Sequence, residues 1–100
     1  MSKHISYDLA KQQYVKTLKQ YIPIVARVHG ANHPELQKVR DIFDAIMQKD
    51  RDSDNKKPDL HEEFITLRQL THDYLIPQDA CESFEAVYRM LGEIDEAYHQ

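Results

Sequence analysis

The stretch PQDACESFEAVYRMLGEIDEAYHQ, from Pro77 to Gln100, decides the fold. Within it Cys81, Phe84, Val87, Tyr88, Leu91, Ile94 and Tyr98 recur at steps of one, three or four residues, so one face of a helix is apolar along its whole length. Pro77-Gln78-Asp79 supplies the start. Gly92 lies inside the helix, where it costs about 1 kcal/mol relative to alanine, and is read as a point of close helix approach.

Three more segments complete the set. From Ser6 to Val28 the apolar positions Leu9, Tyr14, Leu18, Tyr21, Val25 and Val28 predict a long amphipathic helix, with a kink or short break near Lys19 to Pro23, where Pro23 removes a backbone donor. His29-Gly30 stops it, with Gly30 expected in the left-handed conformation. Asn32-His33-Pro34-Glu35 restarts the chain as a second helix, which buries Leu36, Val39, Ile42, Phe43 and Ile46. KDRDSDNKK, from Lys49 to Lys57, has nothing to bury and reads as a solvated loop or frayed helix end. Pro58-Asp59 opens a shorter third helix carrying Leu60, Phe64, Leu67 and Leu70, ending near Thr71 to Tyr74. Four helices on short links predict an all-α, antiparallel up-down four-helix bundle.

Composition agrees. One hundred residues with 41% apolar content make one domain, residues 1–100, and two glycines with no tryptophan fit helix. Acids and bases are interspersed and the net charge is −4, so no basic face invites nucleic acid. No apolar run approaches the roughly 20 residues that span a bilayer, and the N-terminus lacks the apolar core of a secretory signal. With a single cysteine, Cys81, this predicts a cytoplasmic protein with no membrane and no disulfide framework.

Six histidines raise the question of metal: His4, His29, His33, His61, His72 and His99. His29 and His33 stand four apart but are separated by a helix stop and restart, so helix-end roles compete with ligation. Asp95 and His99 share a helical face as an exposed ion pair. His61, followed by two glutamates, lacks the spacing of bundle metal sites. Arg68 and His72 read as plain surface, and Cys81, on the apolar seam without a spaced histidine partner, reads as a buried, inert thiol. No Gly-rich phosphate loop and no Ser-His-Asp pattern is visible. The residues therefore predict no enzyme, no catalytic residue and no cofactor.

Two stretches resemble the repair-of-iron-centres proteins, the iron–sulfur cluster repair family with a hemerythrin-like di-iron domain. They are VARVHGANHPELQKVRDIF, Val25 to Phe43, and LRQLTHDYLIPQDACESFEAVYRMLGEIDEAYHQ, Leu67 to Gln100. The resemblance implies a hemerythrin-like bundle, here with helices two to four shortened, and a role in restoring iron–sulfur clusters under stress. It also implies a ligand set: a histidine on helix one, His-x-x-x-Glu on helix two, a histidine on helix three and His-x-x-x-Glu on helix four. In this chain those positions fall at Asp8, at Ser53 within KDRDSDN, near Lys57 and just beyond Gln100. None is a histidine, and only Asp8 offers an oxygen ligand. The expectation is a ligand-depleted relative that binds a protein partner or a second copy of itself, the latter through a strip near Leu91, Ile94 and Tyr98 left uncovered by a short fourth helix. The alternatives are a rearranged iron site built from Asp8, His29 and His33, with His61 or His99, and a structural or regulatory bundle unrelated to iron.

Overall fold

Residues 5–54 and 56–100 are described by a computed structural model. Four helices follow one another: α1 Tyr7–His29, α2 Glu35–Asp52, α3 His61–Thr71 and α4 Glu82–Tyr98. The all-α four-helix bundle is borne out, and among the described residues there is no strand. Contacts between opposite termini make neighbours antiparallel: Tyr7 of α1 reaches Asp50 of α2, and Tyr98 of α4 reaches Leu60 at the head of α3. One end of the bundle thus holds the start of α1 and the finish of α4. The other holds the finish of α1 and the start of α4.

The first helix starts because Ser6 is extended and its hydroxyl accepts from the Leu9 N–H, satisfying an orphan donor. It then runs through Pro23 without the expected break. Ile22, Val25 and Ala26 flank the proline and are buried, so packing holds the helix across a defect worth about 3 kcal/mol. Its buried face includes Leu18 and Val25 as expected, with Tyr14 and Tyr21 packed against the core, but departs from the expected stripe at its two ends. Leu9 and Val28 are exposed, while Tyr7, Ala10 and Ile22 point inward. Gly30 is right-handed, not left-handed. The position excludes a side chain for another reason: a Cβ there would collide with the Ala26 carbonyl oxygen.

The second helix starts at Glu35, just after Pro34, and takes in Lys49 to Asp52 from the polar run. The third starts at His61 rather than Pro58-Asp59. It ends in three successive left-handed residues, His72, Asp73 and Tyr74, each costing about 1 kcal/mol. Thr71 Oγ1 accepts from the Tyr74 N–H, and the Tyr74 hydroxyl donates to Asp95, so this turn is held at both ends. Gly92 meets the Tyr74 ring rather than another helix. The fourth helix begins at Glu82, with Cys81 as its N-cap, rather than at Pro77-Gln78-Asp79.

The core is a single cluster fed by every helix, with Tyr88, Phe64, Phe84, Leu18 and Leu91 fully enclosed. Leu91, Ile94 and Tyr98 are 1%, 3% and 9% exposed, so the strip expected to lie open for a second copy is covered. Phe64 and Tyr7 rings pack against Tyr98 and close it. Among the described residues no helix is long and apolar enough to cross a membrane.

Candidate functional site

Asp8 stands at the start of α1 and His29 at its finish, so 21 helical steps of about 1.5 Å hold them roughly 30 Å apart. The site combining Asp8 with His29 and His33 therefore cannot assemble around one ion. His4 lies outside the described residues. His61 and His99 share the Asp8 end but face elsewhere: His61 Nδ1 is 3.2 Å from His99 Nε2. Among the described residues no three His, Cys, Asp or Glu side chains are grouped to hold a metal.

At the end where α1 starts, an open cavity of about 520 Å³ is lined by Asp8, Lys11, Asp50, Asp54, Lys56 and Lys57 among others. Lys11 Nζ donates to both oxygens of Asp50 at 2.8 and 2.9 Å and stands 3.7 Å from Asp8. The Tyr7 hydroxyl donates to Asp50 at 3.1 Å, and its pKa is raised by burial first and by the Asp50 charge second. The Asp50 carboxylate is thus already served by an internal ammonium and a phenol. Ser53 turns its hydroxyl onto the Asp50 carbonyl, and Lys57 Nζ caps the Tyr98 carbonyl at 2.5 Å while lying over the Tyr98 ring.

Beside this cavity, Asp95 is not the exposed partner that the sequence suggested. Its side chain is 4% exposed. Arg68 grips it with two N–H···O bonds of 2.8 and 2.6 Å, the Tyr74 hydroxyl donates at 2.7 Å, and His99 Nδ1 lies 2.8 Å away. Arg68 is therefore not plain surface, and its pKa is raised by the bond to Asp95. The pKa of Tyr74 is raised too, by burial and then by Asp95. A carboxylate this deep needs such a full set of donors.

The opposite end gathers different chemistry. Cys81 is exposed rather than buried, and its Sγ lies 3.2 Å from His29 Nε2. It does have a histidine partner, 52 positions earlier in the chain. His33 is held at both ring nitrogens, Nδ1 to Glu35 at 3.0 Å and Nε2 to Asp79 at 2.9 Å. Its pKa is raised by the bond to Asp79 and then by that to Glu35, and His33 in turn lowers the pKa of Asp79. Both rings pack edge-on against Phe84, at 5.1 Å for His29 and 5.0 Å for His33. Close by, Tyr88 is pushed up to about 12 by burial and then by the Glu35 charge.

The chain is similar to the iron-sulfur cluster repair protein ScdA of Staphylococcus epidermidis, at 26% identity over 125 residues that take in 94% of this chain and 55% of the relative. ScdA of Staphylococcus haemolyticus gives 26% over 125 residues, covering 94% of this chain and 56% of the relative. The alignment is longer than this chain, so it opens gaps in it. The chain spans about half the length of the curated relatives it matches. No family model and no solved structure matches. The resemblance seen in two stretches thus extends, at modest identity, over nearly the whole chain.

Proposed function

We propose that this chain is a relative of the iron–sulfur cluster repair proteins that has no di-iron site and works by binding, as an accessory to cluster repair in the stress response. The similarity to ScdA across 94% of the chain supports the link to cluster repair. The observation that carries the rest is the state of the end where the resemblance would put iron ligands. The side chains there do not fit a di-iron centre. Such a centre needs imidazoles and bridging carboxylates turned into one space between the helices. Here Asp8 is 85% exposed, the resemblance puts the helix-two and helix-three ligand positions at Ser53 and near Lys57, where no imidazole stands, and Lys11 already neutralises Asp50. An ammonium placed on a carboxylate fills the role a metal cation would take and repels a second cation.

A hemerythrin-like scaffold without its metal retains only surfaces and pockets, hence a binding role. Co-expression with a full-length ScdA checks this. The chain is expected to co-purify with ScdA in fixed proportion through size exclusion. Elution as a separate, partner-free monomer, from cells in which ScdA is abundant, would contradict the accessory role.

A further inference from the structure

The thiol of Cys81 is accompanied by a base from a distant part of the chain, which separates it from an isolated surface cysteine. His29 Nε2 sits 3.2 Å from Sγ, and the Phe84 backbone N–H points at the same sulfur from 3.5 Å. The His29 ring is steadied by its edge-on contact with Phe84. The neighbouring imidazole, His33, is tied at both nitrogens to Glu35 and Asp79. His29 is therefore the ring that serves Cys81. A nucleophile and a base at hydrogen-bond distance, with the base oriented by a third group, form the constellation that activates a thiol.

The helix termini add to this. His29 is the last residue of α1, where the macrodipole favours a cation, and Cys81 caps the start of α4, where it favours an anion. Each partner stands where the charge left by moving the proton from sulfur to nitrogen is accommodated. Cys81 is also an exposed residue.

We propose that Cys81 and His29 form a thiol–disulfide exchange site whose reactant is a small aliphatic disulfide, making Cys81 a site of reversible modification. His29 Nε2 takes the proton from Sγ, and the thiolate attacks one sulfur of the disulfide RS–SR. The Cys81–SR bond forms as the RS–SR bond breaks, and the departing RS⁻ takes the proton from His29. Cys81 is oxidised to the mixed disulfide, and the reagent is reduced to one thiol. The chain has no second cysteine, so an external thiol must reverse the step. This inference is independent of the proposed accessory role.

The test follows mixed-disulfide formation by intact mass, using 2-hydroxyethyl disulfide as the probe and the full chain. At about pH 6, where an ordinary thiol is almost wholly protonated, native Cys81 is expected to react about tenfold faster than the same cysteine in the urea-unfolded chain. His29→Gln, with its fold checked by circular dichroism, is expected to lose that excess and to recover rate only as the pH rises. Native and unfolded chains reacting alike would overturn the proposal on the unaltered protein. Undiminished reactivity in His29→Gln would overturn the role of the imidazole.

Discussion

At the end of the bundle where α1 starts and α4 finishes, polar side chains are drawn inward and saturated. Asp95 has three side-chain partners, Arg68, Tyr74 and His99, Asp50 is shared by Lys11 and Tyr7, and the Tyr98 hydroxyl donates to the Pro58 carbonyl while accepting from the Leu60 N–H. At the opposite end, Cys81 and Asp79 are exposed, and each is matched to one imidazole. The first end has the geometry of structural support, since buried polar atoms that lose partners cost far more than exposed ones. The second leaves its reactive groups open to solvent. Family resemblance draws attention to the first end for chemistry, whereas the free thiol and the imidazole beside it are at the second.

The contrast can be broken by substitution. The largest loss of stability is expected for Asp95→Ala, which strands the Arg68 guanidinium and the Tyr74 hydroxyl: about 3 kcal/mol, or a fall in Tm of roughly 10 °C or more by thermal denaturation. Tyr98→Phe keeps the ring but leaves the Leu60 N–H and the Pro58 carbonyl without that hydroxyl, and should cost about 2 kcal/mol in a denaturant titration. Lys11→Met removes a partly exposed ion pair and should cost about 1 kcal/mol by the same method. At the opposite end, Cys81→Ser should change stability by less than about 0.5 kcal/mol, because serine is itself a good N-cap. A loss there as large as that of Asp95→Ala would erase the distinction between the ends.

The smallest effect concerns pH. The folded pKa of His33 is raised, so its contribution to stability is complete below its unfolded value of about 6.5 and fades as pH rises through the folded value. That of Asp79 is lowered, so its contribution is present above about 4 and fades as pH falls through the folded value. Denaturant midpoints measured from about pH 5 to 8 should therefore drift downward on the alkaline side, and His33→Gln should remove that drift.

Much of the bundle was legible in residue order, because apolar spacing reports what a helix buries. The seams of α2 and α4 at Leu36, Val39, Phe43 and Ile46, and at Phe84, Val87, Tyr88, Leu91 and Ile94, are the buried faces observed. Pro23 misled because local propensity carries no information about the packing that holds a helix across it. The polar run from Lys49 misled in the same way: Asp50 is half-buried only because Lys11 and Tyr7, some 40 positions earlier, come to meet it. Site chemistry was harder to read. Cys81 continues the apolar spacing of α4 in sequence, yet the helix begins one residue later and the thiol turns outward as its cap. The pairing with His29 had one indirect signal, the up-down topology, which places the finish of the first helix beside the start of the fourth. Arg68 and Asp95, 27 positions apart, offered no local signal at all.

The most direct test of a bundle held by ion pairs where its relatives' resemblance implies iron is the metal content of the protein itself. Protein purified without a metal-binding tag, from cells grown with added iron, should carry well under one iron atom per chain by elemental analysis. Iron at about two per chain, the stoichiometry of a di-iron centre, would contradict it.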